Sequence, residues 1–236
     1  MHPEYVDMLT RKVVIDPRRT ALVPIDLQYA SGSREHGLGL WLARQGRLEE
    51  AKYRFDRIEN LVIPNTLRLL KAFRAVKARV VYVTLGCELP DFSDAPPSMK
   101  AFFQATNNRV GTREHDIIDV LRPEPGELVI NKRTQGAFAS SGIESALRAM
   151  GIDTIVVTGV STNNCVETTA REASDRGFGV VMVSDATGTC SQEMQELTLR
   201  GFHRLWGRVA STDEVIDELM RAGALPEREK QPALQN

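Results

Sequence analysis

Six short apolar runs, separated by segments of helical period, constrain this chain more than any other feature. The runs are Thr20 to Ile25 (T-A-L-V-P-I), Arg79 to Leu85, Glu127 to Ile130, Thr154 to Thr158, Gly179 to Ser184 and a weaker one at Arg208 to Ser211. They are continuous rather than alternating, as strands covered on both faces require. Between them, Phe55 to Val76, Ile143 to Met150, Val166 to Arg176, Met194 to Trp206 and Thr212 to Met220 carry apolar residues at three- and four-residue spacing. Strand and helix thus alternate, which predicts an α/β three-layer sandwich. Its sheet is doubly wound, mostly parallel and six-stranded, with helices on both faces. Pro24 stands against a regular central ladder, because it has no N–H to donate.

Composition narrows the class. With 42% hydrophobic and 26% charged residues, a chain of 236 residues can close one core without disulfides or a structural metal. One domain is expected over 1–225, followed by a polar, proline-bearing tail over 226–236. A formal net charge of −1 offers no long-range attraction for phosphate backbones or anionic lipids. Nucleic acid and membrane partners are therefore not expected, and a small, nearly neutral substrate is. Cys87, Cys165 and Cys190 are an odd number at wide spacing with no C-x-x-C, so neither a disulfide framework nor a zinc knuckle fits. No export signal and no run near the ~18 apolar residues of a membrane helix is present, which together with the free thiols suggests a cytoplasmic protein.

Candidate chemistry follows from topology. In a doubly wound sheet, ligands bind at the carboxyl ends of the strands. Asp26 stands just beyond the first run, Lys132 two residues beyond Ile130, and Ser161-Thr162-Asn163-Asn164-Cys165 beyond the fourth. A carboxylate at Asp26 is desolvated, which raises its pKa and prepares it to take a proton, although such a residue also serves simply to cap a loop. Cys165 lies where a polar loop gives way to a helical pattern. There the helix dipole favours thiolate, and unpaired N–H groups can hold an oxyanion; a small buried hydrophobe is the alternative. Lys132 would hold both anions in register, or else be an ordinary strand-end lysine. Cys87 and Cys190 open no helix and read as pocket wall or core. The long connections Ser31 to Glu50 and Cys87 to Asn108 read as lids or binding loops.

Asp26 in A-L-V-P-I-D-L-Q, Lys132 in V-I-N-K-R-T-Q-G-A-F and Cys165 in V-T-G-V-S-T-N-N-C-V-E-T-T-A-R-E-A together resemble the isochorismatase-like cysteine hydrolases, over about Thr20 to Asp217. The resemblance implies that Asp26 is the general base for Cys165, that Lys132 supports the pair, and that a thioacyl enzyme forms and is hydrolysed. It also implies a cis peptide between Val160 and Ser161, with the N–H groups of Ser161 and Cys165 as oxyanion hole. Nicotinamidases of this family carry a metal-binding D-x-H segment after the second strand, where this chain reads T-L-G-C-E-L-P-D. Neither metal nor cofactor is expected. The thiol favours the amide-cleaving members over those that cleave a vinyl ether. The Lys132 segment looks most like the ureido and carbamoyl amidohydrolases (biuret hydrolases, ureidoacrylate hydrolases and N-carbamoylsarcosine amidases). Arg34, His36 and Trp41 are candidates to close over a substrate, with Gln135 and Phe138 lining it. A homo-oligomer, dimer or tetramer, is expected from the family and from the apolar Leu38, Leu40, Trp41 and Leu42.

Two other classes compete. Gly159-Val160-Ser161-Thr162-Asn163 is one glycine short of a nucleophile elbow, and Ser161, Asp185 and His203 follow in the chain order of a serine hydrolase. A flavodoxin-like binding module shares the fold, yet I-D-L-Q-Y offers no glycine-rich phosphate loop after the first strand.

Overall fold

The computed structural model describes Tyr5, Met8 and residues 12–224; the boundary expected at residue 225 and the tail over 226–236 lie outside them. The sheet contains β1 (Thr20–Ile25), β2 (Arg79–Leu85), β3 (Leu128–Lys132), β4 (Thr154–Val160), β5 (Gly179–Gly188) and β6 (Arg208–Ala210). Their order is β3-β2-β1-β4-β5-β6, and every pairing is parallel. The chain therefore reverses its direction of travel across the sheet between β1 and β4. That switch point is where a crevice opens at the strands' carboxyl ends.

The helices are α1 (Tyr29–Gly32), α2 (Gly37–Arg44), α3 (Lys52–Arg57), α4 (Ile63–Ala75), α5 (Pro97–Thr106), α6 (Ala137–Ser140), α7 (Ile143–Ala149), α8 (Glu167–Asp175), α9 (Gln192–Phe202) and α10 (Thr212–Ala224). Period-two alternation along the strands divides the core into two layers. Ala21, Val23 and Ile25 of β1 pack with Phe103 of α5, Leu147 of α7 and Ala170 of α8. Leu22 faces the other way, toward Leu69, Leu70 and Phe73 of α4 and Val215 and Leu219 of α10. The central strands β2, β1, β4 and β5 are thus covered on both faces, which is why they read as unbroken apolar runs, whereas the edge strand β3, expected to be buried, leaves Leu128 and Val129 exposed.

One expectation needed correction. The connections after β1 and β2 are not bare loops, because α2 and α5 lie within them. The Gly-Leu alternation at Gly37 to Leu40 and the paired prolines before α5 hid these helices; Pro97 stands in the first turn of α5, where its missing N–H costs nothing. Pro24 does interrupt the ladder as expected: toward β2 the pairs run Ala21–Arg79, Leu22–Val80 and then Ile25–Val83, with none at Val23 or Pro24, while the β4 side is unbroken. Pro24 lies in register opposite Thr158 in a central strand, and pairing resumes with the Asp26 N–H donating to the Val83 carbonyl at 2.9 Å.

Gly159 lets β1 and β4 run so close at this end. Its φ is +114°, and a Cβ placed there would meet the Ile25 carbonyl oxygen at 1.9 Å. No other residue type tolerates both conditions.

Candidate active site

Three strand ends bring three side chains together. β1 ends on Asp26, whose φ of +53° is a left-handed conformation that Asp tolerates better than most residues. The Ser31 hydroxyl of α1 donates to the Asp26 carbonyl and fixes the turn. Lys132 is the last residue of β3, two positions later than the apolar run alone marks its end, because Asn131 and Lys132 continue the ladder opposite Thr84 and Leu85. Its Nζ donates to Asp26 Oδ2 at 2.9 Å and to the Thr134 carbonyl at 3.1 Å. Lys132 is 0% exposed and Asp26 2%. Cys165, 7% exposed, lies in a wide helical turn, Thr162–Val166, that runs on into α8. Its thiol interacts with both the Asp26 carboxylate and the Lys132 ammonium. The Val160–Ser161 peptide bond before that turn is cis.

Burial dominates the electrostatics. It raises the pKa of Asp26, while Lys132 and then Cys165 pull the other way. For Lys132, burial opposes the charge, but Asp26 and Cys165 outweigh it and hold the ammonium above its ordinary value. Burial and the Asp26 charge push the Cys165 thiol up to about 12. The resting sulfur is therefore a thiol, not the thiolate that its helix-start position led one to expect, because desolvation outweighs the dipole. Asp26 Oδ1 is buried and accepts no hydrogen bond, which leaves it available to take a proton.

The other predicted residues are placed differently. Phe138 packs at the edge of the core with its ring centroid 5.7 Å from that of Phe178 and the Arg176 guanidinium over it. Gln135 is exposed on the turn after β3. Arg34 pairs with Asp56 at 2.5 Å and with Glu59 at 2.8 Å. His36 precedes α2 and meets the Tyr29 ring edge-on at 5.0 Å, and Trp41 is exposed on α2 beside half-buried Leu38, Leu40 and Leu42. Nor do the residues of the serine alternative form a relay. Ser161 Oγ accepts from Arg54, the Asp185 carboxylate accepts from the N–H and hydroxyl of Thr212, and His203 Nδ1 accepts from the Val209 N–H.

Several supporting residues carry no sequence motif. The Gln28 carboxamide is buried, accepts from the Leu85 N–H at 2.7 Å and donates to the Leu85 and His115 carbonyls, which stitches β2 to the segment after β1. His115 Nε2 in turn meets Asn131 Oδ1 at 3.0 Å. Arg54 of α3 is 8% exposed and reaches both Ser161 and Ser31. Among the described residues, no three His, Cys, Asp or Glu side chains converge as a metal site would need, and no helix is long and apolar enough to cross a membrane.

A doubly wound parallel sheet with a buried acid, amine and thiol converging at its carboxyl edge defines a three-layer α/β hydrolase. A family model for the isochorismatase domain matches residues 45–214, and the chain belongs to that family. It is 30% identical over 214 residues to the ureidoacrylate amidohydrolase RutB of Methylorubrum extorquens, covering 84% of this chain and 82% of the relative. It is 31% identical over 159 residues to an uncharacterized isochorismatase family protein, YwoC, of Bacillus subtilis, covering 67% of this chain and 83% of the relative. Among solved structures, a cysteine hydrolase from Pseudomonas syringae pv. phaseolicola aligns at a TM-score of 0.74 and 24% identity over 90% of this chain and 99% of that one. An N-carbamoylsarcosine amidase from Thermoplasma acidophilum aligns at 0.60 and 24% over 83% and 97%. At those identities the structures bear on the fold alone.

Proposed function

We propose that this protein is a cysteine amidohydrolase that cleaves the C–N bond of a small ureide or linear amide through a thioacyl-enzyme intermediate. The observation that carries the reading is the burial of Asp26, Lys132 and Cys165 in mutual contact at the switch point of the sheet. The likeness to ureidoacrylate amidohydrolases supports the bond type.

Each step follows from the charges. With the thiol at about 12, sulfur attacks only as its proton leaves, and the free Oδ1 of Asp26 is the acceptor at hand. A raised pKa makes Asp26 a stronger base than an ordinary carboxylate. Sulfur adds to the carbonyl carbon, and the carbonyl oxygen becomes an oxyanion, held by the N–H groups of Ser161 and Cys165. The intermediate collapses as Asp26 returns the proton to the departing nitrogen, which leaves as ammonia or an amine. Water then attacks the thioester, gives its proton to Asp26 and releases the acid and the thiol. Lys132 keeps its charge throughout and compensates the anions that form.

The test is ammonia release across biuret, triuret, ureidoacrylate, N-carbamoylsarcosine and nicotinamide, with Cys165→Ala and Ser161→Ala proteins in parallel. Turnover of at least one ureide by the native protein and by Ser161→Ala, together with its loss in Cys165→Ala, is the expected result. Survival of activity in Cys165→Ala refutes the thioacyl route.

A further inference from the structure

The turn that carries Cys165 lies beyond the last pairing of the sheet on this side, Val160 with Gly188. Its backbone closes on itself, with the Asn164 and Val166 N–H groups both donating to the Ser161 carbonyl. What ties it to the rest of the protein is a set of side chains at three successive residues. Ser161 is held by Arg54 of α3, Thr162 by Gln195 of α9 and Asn163 by Thr189, just past β5. The middle hold is the most buried, with Thr162 0% and Gln195 1% exposed. Thr162 Oγ1 donates to Gln195 Oε1 at 2.7 Å, and the Gln195 amide donates to Thr187 Oγ1 at 3.1 Å and to the Ser184 carbonyl at 3.4 Å. A buried carboxamide needs partners for its oxygen and for its amide. Here the oxygen takes the turn and the amide takes β5, so the group is a strut between the two. Stability alone does not call for it, because apolar side chains of the same shape at both ends of such a bond pack nearly as well. Thr162 stands between Ser161 and Cys165, whose N–H groups the proposed route assigns to the oxyanion, so fixing it fixes the aim of both donors.

We infer that Gln195 is a positioning residue, which acts through the Thr162 hydroxyl to hold the Ser161 and Cys165 N–H groups on the oxyanion. This rests on the acyl-transfer reading of Cys165 and adds to it a residue 33 positions further along the chain, on a helix that carries none of the three reacting side chains.

Two reactions of the same sulfur test it. Acylation of Cys165 by p-nitrophenyl acetate passes through a tetrahedral oxyanion: the thiol proton goes to Asp26, sulfur bonds to the carbonyl carbon and p-nitrophenolate departs. Alkylation by iodoacetamide displaces iodide at a saturated carbon and forms no oxyanion. Both rates are measured in the native, Gln195→Met, Thr162→Val and Thr162→Ser proteins and in the Gln195→Met/Thr162→Val double variant. A misplacement of about 1 Å costs about 100-fold, so Gln195→Met and Thr162→Val should each lose about 10- to 100-fold in acylation and stay within about threefold in alkylation. Thr162→Ser keeps the hydroxyl and should stay within about threefold of the native rate in both, and the double variant should be no slower than the slower single one. Acylation unchanged in Gln195→Met and Thr162→Val overturns the inference. So does alkylation that falls in step with acylation, as a general loosening of the site would give, or a Thr162→Ser loss equal to that of Thr162→Val, or losses that multiply in the double variant. Should Gln195→Met fail to fold, the contrast between Thr162→Val and Thr162→Ser decides alone. A native protein that alkylates but does not acylate has no working oxyanion hole, which also overturns the inference. Neither reaction needs an amide: selective loss of acylation in a protein that releases ammonia from no ureide refutes the amidohydrolase reading and leaves the role of Gln195 standing.

Discussion

Replacing Lys132 by Met removes the one cation that matches Asp26 while nearly preserving the volume of a side chain that is 0% exposed. The ion pair is 2.9 Å long and its partner is 2% exposed. Stranding the partner of such a pair costs about 3–5 kcal/mol if it stays charged. Asp26 limits that cost by taking a proton. Burial already raises its pKa, and the Lys132 contributions that hold it down are gone in the variant, so the folded-state value rises further. The sign then follows. Over pH values between the two folded-state pKa values, the folded variant carries one proton more than the folded native protein, and the unfolded chains bind protons alike at this position. The variant's stability deficit therefore grows with pH at about 1.4 kcal/mol per unit. Urea unfolding of both proteins at pH 5 and pH 8 should show a larger deficit at pH 8. A deficit that is the same at both pH values, within about 0.5 kcal/mol, refutes the claim that Lys132 keeps Asp26 ionised.

Two further substitutions bear on the same chemistry and on its scaffold. Because the Asp26 charge helps raise the thiol pKa, Asp26→Asn should abolish hydrolysis yet speed alkylation of Cys165 by iodoacetamide at pH 8; slower alkylation would show that Asp26 activates the resting thiol instead. Gly159→Ala drives a Cβ to 1.9 Å from the Ile25 carbonyl oxygen at a φ of +114°, so it should destabilise the fold by more than about 4 kcal/mol in urea or prevent soluble expression. A loss under about 1 kcal/mol would mean that β1 and β4 can separate at this end without harm.

Much of this architecture is legible from residue order because the central strands β2, β1, β4 and β5 are buried on both faces. β1 and β2 begin and end where their apolar runs do, since burial and pairing stop together there. β3, β4 and β5 outrun their apolar runs: Asn131, Lys132, Gly159 and Thr187 keep the ladder going with side chains that hydropathy counts as breaks, β5 passing through an irregularity of register before Thr187. Asp26, Lys132 and Cys165 stood out because each lies at or soon after the carboxyl end of a strand, where a doubly wound sheet gathers its ligand site. Arg54 did not, since nothing local distinguishes an arginine buried by tertiary packing from one on a solvated helix face. Phe138 was legible only as a neighbour of Lys132 in sequence; that α6 sets its ring against Phe178 is a tertiary fact.

The strand order imposes a reach requirement on the amine. Lys132 stands on β3 and Asp26 just past β1, with β2 between them, so the two side chains together must bridge two inter-strand spacings, about 10 Å. Among cationic side chains only Lys and Arg are long enough for such a crossing, and the broad fork of Arg does not match a slot that ends on single carboxylate and carbonyl oxygens. The crossing also passes the end of β2, where Gly86 has no side chain; a Cβ there would meet His115 Cδ2 at 2.4 Å. The acid and the amine are therefore coupled through the width of the sheet. A slip of β2 or β3 by one residue would turn Lys132 to the opposite face and leave Asp26 without its counter-charge, so the register of two strands that carry no nucleophile decides whether the site exists.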